Sequence, residues 1–140
     1  EKKSNPWAVP VFLEQPFNLK IADHWLMGRI DRIDKLNDGT FEVIDYKTGN
    51  MKDSKEVDKD MQLSIYALAC RDILKIPVSR LSLYYLEDNQ KISTTREEKQ
   101  LKALTEDIGR FIEEIKKSDF SPTPGFHCQF CDYRLICPAV

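Results

Sequence analysis

No apolar run in the 140-residue sequence comes near the roughly 20 residues that a bilayer-crossing helix needs, so a helical membrane protein is excluded. The opening segment, Glu1 to Trp7, has neither a hydrophobic signal core nor an initiating Met. A cytoplasmic protein is expected, without membrane partners, and this chain is expected to be the C-terminal part of a larger one. An excess of positive charge is also missing. With 21 Lys and Arg against 23 Asp and Glu, the net charge of −2 excludes a protein that coats nucleic acid without regard to sequence, but not an enzyme whose site needs carboxylates. Internal repeats and low-complexity stretches are absent. A disulfide framework is excluded too, because three of the 4 cysteines crowd into the last thirteen residues.

What is present is ordinary for one globular domain with one core over residues 1–140: 41% hydrophobic and 31% charged residues. Phe17, Leu19 and Ile21 alternate with polar residues, the period of a half-buried strand. A second strand is predicted from about Trp25 to Leu36. The turn residues Asn37-Asp38-Gly39 lead into a third, Phe41 to Lys47, completing an antiparallel meander. From Thr48 to about Val57 no period is visible, and a polar loop is expected. A helix follows over about Asp58 to Leu74, ending ahead of Pro77. A strand over about Arg80 to Leu86 forms a hairpin with a short one near Ile92. Thr95-Arg96-Glu97-Glu98 matches a capping box for a helix whose apolar positions are Leu101, Leu104, Ile108, Phe111, Ile112 and Ile115.

The chemistry concentrates on the third strand. Residues two apart share a strand face, so Asp45 and Lys47 point together, at the end of a stripe begun by Phe41 and Val43. An apolar stripe ending in Asp and Lys leads from a core into a polar pocket, where the pairing offsets part of the cost of burying either charge. If the strands pair through the Asn37-Asp38-Gly39 turn, Asp31 approaches Asp45. Two carboxylates facing one point make a hard oxygen site suited to Mg²⁺ or Mn²⁺, which acidifies water for attack on phosphorus. The Lys47 ammonium would offset charge building on the phosphate oxygens; positioning or deprotonating the water is equally open to it. Against this stands the plainer alternative that Asp31, Asp34 and Asp45 belong to a solvated face with Lys47 as a surface partner.

The ordered series is more specific than an isolated Asp-x-Lys. Gly28-x-x-Asp31 is followed by Asp45-Tyr46-Lys47, and then by Gln62-x-x-x-Tyr66, one helical turn apart on one face. From about Phe12 to Pro138 the sequence resembles the RecB-like branch of the PD-(D/E)XK nuclease superfamily. The resemblance implies an α/β (mixed α+β) fold with a restriction-endonuclease-like core, a central mixed sheet flanked by helices. It implies a metal-dependent deoxyribonuclease, exonuclease more than endonuclease, acting on DNA in recombination or repair beside a helicase domain or subunit. Asp31, Asp45, Lys47, Gln62 and Tyr66 would be its catalytic residues, and Asp31, Asp45 and the Tyr46 carbonyl its metal ligands. The competing expectations are a nuclease fold that binds DNA without cutting it, and a metal-stabilised interaction domain.

Cys128, Cys131 and Cys137 are spaced too closely to be three independent buried thiols, and a shared ion is expected. The tail, residues 122–140, resembles the cluster-binding end of AddAB-type and CRISPR-associated members, where three late cysteines and one early cysteine hold a [4Fe-4S] cluster. The early cysteine is not in this sequence. Cys70, in an apolar helix, is expected to be a core residue. His127, next to Cys128, is a strained zinc ligand at best. The helix with a metal-binding His that such nucleases carry early is not found either; His24 and Glu14 are expected to be boundary or exposed residues. With both groups upstream of Glu1, the isolated chain is expected to bind Mg²⁺ or Mn²⁺ weakly and cut DNA poorly.

Overall fold

The computed structural model describes residues 10–139. The chain divides into two compact units, one running to Gly109 and one from Arg110 onward. The first is built on a five-stranded sheet in the order β1-β2-β3-β4-β5, which is sequence order. β1 (Pro10–Ile21) and β2 (His24–Lys35) form a long antiparallel hairpin, and β3 (Phe41–Lys47) pairs antiparallel to β2. β4 (Val78–Tyr85) lies parallel to β3, and β5 (Gln90–Thr94) antiparallel to β4. The sheet is therefore mixed.

β1 begins earlier than its apolar alternation suggests. Only Phe17, Leu19 and Ile21 are buried; the outer half carries exposed Val11 and Leu13 and is a strand because β2 offers it a ladder. The β2–β3 turn forms as expected, with Gly39 at φ 86 and the Thr40 amide donating to Asp38 Oδ1 at 2.9 Å. β3 is covered on both sides, since Glu42, Val43, Ile44 and Asp45 are all buried, as suits a strand with a parallel neighbour.

A parallel pair needs a crossover of a dozen residues or more. Here it contains α1 (Ser54–Asp58), α2 (Met61–Ala69) and a π-helical turn, Cys70–Leu74. The single helix expected over 58–74 is thus divided, and the expected loop contains α1. Two caps explain the division. Asp53 and Glu56 form a reciprocal capping box at 2.9 Å each, and Asp60 Oδ1 accepts the Leu63 amide at 3.0 Å to start a new helix. Arg96 then satisfies the carbonyls at the break, donating to Val57 O at 3.0 Å and Asp60 O at 3.1 Å, and it also reaches Ser64 Oγ at 2.6 Å. The π turn ends at Lys75, in the left-handed region at φ 55, two residues before Pro77.

α3 (Glu98–Lys117) starts later than its predicted capping box. Thr95 does not cap it; Gln100 instead reaches back to the Glu97 amide at 2.8 Å. Leu101, Leu104 and Ile108 are buried, while Phe111 and Ile115 are exposed. The second unit continues through a 3₁₀ turn, Phe126–Phe130. No helix among the described residues is long and apolar enough to cross a membrane.

Ile30, Ile33, Val43, Val57, Leu63, Leu68, Leu81 and Leu83 are almost wholly buried and form the core between sheet and α2. Each contributes on the order of 1.5–3 kcal/mol by leaving water. Cys70 belongs to that core, fully buried, and burial pushes its thiol up to about 12, as its apolar setting led us to expect.

Candidate active site

Asp45 and Lys47 stand on one face of β3 and look toward α2, the helix that carries Gln62 and Tyr66. Lys47 Nζ lies 2.7 Å from Asp45 Oδ2 and donates to Gln62 Oε1 at 2.6 Å. Gln62 Nε2 donates to the Tyr66 hydroxyl at 2.7 Å, and that hydroxyl donates to Asp45 Oδ1 at 3.3 Å. The four side chains close a ring. One Gln amide can serve both sides of it because its oxygen accepts while its nitrogen donates. The i, i+4 spacing on α2 puts Gln62 and Tyr66 one above the other.

Asp31 enters from β2 by a local departure from the ladder. The β2–β3 pairing runs from Lys35 and Phe41 to Arg32 and Ile44, and beyond it the Asp31 carboxylate accepts the Tyr46 amide at 2.9 Å. A side chain thereby takes the place of a backbone acceptor, and the two carboxylates come close enough for the charge of Asp31 to act on Asp45. The Tyr46 side chain turns to the other face of β3, with its ring edge on Tyr84 at 5.8 Å and its hydroxyl accepting from Arg32 at 3.3 Å. Asp34 is not part of this group, because Arg32 holds it with two bonds of 2.7 and 2.8 Å.

Asp45 is only 2% exposed. Burial raises its carboxyl above the ordinary Asp value; the Lys47 ammonium pulls the other way, Asp31 adds to the rise, and the Tyr66 hydroxyl opposes it. The Lys47 contact with Oδ2 misses hydrogen-bond alignment, so this buried oxygen has no aligned donor. Tyr66 is pushed up to about 12 by burial and by the charge of Asp45, which keeps it a phenol donor at neutral pH.

The glycine of Gly28-x-x-Asp31 has a steric task. Gly28 pairs with Phe17 across the hairpin, and a Cβ there would stand 2.5 Å from Phe17 Cζ. The space admits the Phe17 ring, which packs edge-on against Tyr66 with ring centres 6.0 Å apart. Sequence reasoning missed Phe17 as a site residue, although its place in an apolar alternation was visible. It also missed Asp60 and Lys52, joined at 2.7 Å beside the first turn of α2. An Asp two residues ahead of Gln62 was the available signal.

A protein-family model, the PD-(D/E)XK nuclease superfamily, matches residues 1–138. The chain belongs to this superfamily. Its five-stranded mixed sheet with helices is the restriction-endonuclease-like core. PD-(D/E)XK nucleases generally use divalent metals, and the donors here suit one: two carboxylates with a buried oxygen lacking an aligned donor offer hard ligands, and Mg²⁺ is commonly held by one or two carboxylates with waters and substrate oxygens. No match was found among curated proteins. Among solved structures, the crystal structure of SSO0001 is 21% identical, with a TM-score of 0.46; the match covers 91% of this chain and 59% of that one.

The other candidates lie outside the ring. His24 opens β2 opposite Ile21, seven residues along the strand from Asp31, roughly 20 Å at ordinary strand rise. Glu14 pairs in solvent with Arg29 at 3.3 Å. Cys128, Cys131 and Cys137 are free thiols, and Cys128 Sγ accepts the Gly125 amide at 3.3 Å. Among the described residues, no three or more His, Cys, Asp or Glu side chains are arranged to hold a metal ion.

Proposed function

We propose that this PD-(D/E)XK chain is a metal-dependent deoxyribonuclease whose catalytic residues are Asp31, Asp45, Lys47, Gln62 and Tyr66. The observation that carries the reading is the closed ring of Asp45, Lys47, Gln62 and Tyr66, with Asp31 at its edge. A solvated surface would not bury Asp45 or tie its lysine to a helix amide.

In this reading Asp31, Asp45 and the Tyr46 carbonyl hold Mg²⁺ or Mn²⁺. The ion would supply Lewis acidity for hydrolysis of a phosphodiester. Lys47 points its ammonium at the phosphate oxygens and balances their growing charge. Gln62 fixes Lys47, and Tyr66 fixes Asp45 through Oδ1, while Oδ2 faces the Lys47 ammonium at 2.7 Å. Burial of Asp45 strengthens each of these interactions by keeping bulk water from its carboxylate.

The finer assignment rests on the RecB-like order of the motifs: an exonuclease of recombination or repair, working beside a helicase. The same resemblance supports Cys128, Cys131 and Cys137 as ligands of a [4Fe-4S] cluster completed by a cysteine from outside this sequence.

Cleavage of end-labelled single- and double-stranded DNA, with Mn²⁺ and with chelator, tests the function. Mn²⁺-dependent products that shorten progressively from an end, and that Asp45→Ala abolishes, are expected. DNA binding without cleavage under any metal would favour the non-cutting module.

A further inference from the structure

Lys52 sits in the connection between β3 and α1, a stretch with no regular structure, yet it is anchored at both backbone and side chain. Its amide donates to the Tyr85 hydroxyl at 3.0 Å. Tyr85 is buried and is the register partner of Lys47 in the parallel β3–β4 pair, so Lys52 is tied to the strand end beside the catalytic lysine. Its Nζ meets Asp60 Oδ2 at 2.7 Å, and the other oxygen of that carboxylate caps α2. Two residues further along, Gln62 holds Lys47.

The two ends of the Lys52–Asp60 pair differ in exposure. The Asp60 side chain is 6% exposed and the Lys52 side chain 43%. Asp60 takes one of the three N–H donors of the ammonium. Burial pulls the Asp60 carboxyl upward, but Lys52, the Leu63 amide and the charge of Lys47 outweigh it and hold it below the usual Asp value. Both lysines therefore act on one buried carboxylate at the start of α2. A cation held from behind by a buried acid, open in front, and set beside the reacting centre is arranged to take a second anion.

We propose that Lys52 is a phosphate-binding residue for the nucleic-acid strand, contacting a backbone phosphate next to the one that is cut, with Asp60 as its positioning residue. This rests on the nuclease reading above and adds a subsite to it. Because the contact is to phosphate, it carries affinity and register, and no base preference.

The test is binding of a fluorescein-labelled single-stranded oligonucleotide, followed by anisotropy over a range of NaCl, with Asp45→Asn as the parent so that the strand stays intact. Each phosphate contact contributes about 0.7 to the slope of log Kobs against log salt on single strands. Lys52→Gln in that parent is expected to flatten the slope by about 0.7, and Lys52→Arg to preserve it. An unchanged slope for Lys52→Gln, with the parent binding normally, overturns the subsite and leaves the nuclease reading standing. A parent that does not bind the oligonucleotide at any salt overturns both.

Discussion

Lys47 is held at two points, by Asp45 and by Gln62, and each restraint has its own consequence. Gln62 is exposed, so its replacement costs little packing. Gln62→Leu frees the ammonium from its anchor, and kcat is expected to fall about tenfold, the equivalent of roughly 1.4 kcal/mol, with the melting temperature almost unmoved. Steady-state kinetics beside a thermal melt checks both halves. Asp45 behaves in the opposite way. Burial raises its carboxyl above the ordinary 3.8, so between the unfolded and folded values the native chain binds more protons, and stability falls as pH rises. The penalty is complete above the folded value. By this linkage alone, Asp45→Asn is expected to raise the melting temperature at neutral pH in metal-free buffer, and the gain to vanish as pH falls toward 3.8. Melts over a pH series measure this. The pairing of Asp45 with Lys47 was legible from their two-residue spacing. The Asp31 contact with the Tyr46 amide was not, because no pattern of residue types announces a side chain that replaces a ladder acceptor.

Among the elements, the β1–β2 hairpin gives the clearest steric prediction. Gly28→Ala drives a methyl into the Phe17 ring, which also packs edge-on against Tyr66. Overpacking of this kind costs about 1–3 kcal/mol. Activity should fall with it, since Tyr66 carries the contact to Asp45. Phe17→Leu in the same chain makes room and is expected to recover stability and part of the activity; a double-mutant cycle measures the coupling. β3 was legible from the turn ahead of it and α3 from its repeated helical spacing, whereas α2, buried nearly all round, was legible from its helix-forming composition ahead of Pro77. α1 was not, because five residues are too few to show a period, although its Asp53-x-x-Glu56 box stood in the sequence. The break before α2 depends on Arg96, more than thirty residues away, which local patterns cannot register. The late start of α3 is a local matter, since Gln100 reaches back three residues to the Glu97 amide while Thr95 does not cap the helix.

At the scale of the whole molecule, the sheet order brings the residues of the proposed site together. β3 lies centrally, with β2 delivering Asp31 on one side and β4 bracing Lys47 through Tyr85 on the other. A period-two strand looks the same whether its neighbour is parallel or antiparallel, so the parallel β3–β4 pair could be inferred only from the long helical crossover. The net charge of −2 says little about DNA because the positive groups that matter are few and local. In the proposed centre on β3 and α2, Lys47 is the cationic member and has no metal-holding role. Single-turnover cleavage of DNA by Lys47→Ala in Mn²⁺, on protein whose near-ultraviolet circular dichroism matches the parent, tests that centre most directly. A loss of at least about 100-fold is expected, in the range of a lost general acid–base or charge-balancing group; a rate within twofold of the parent would contradict a catalytic role for Lys47.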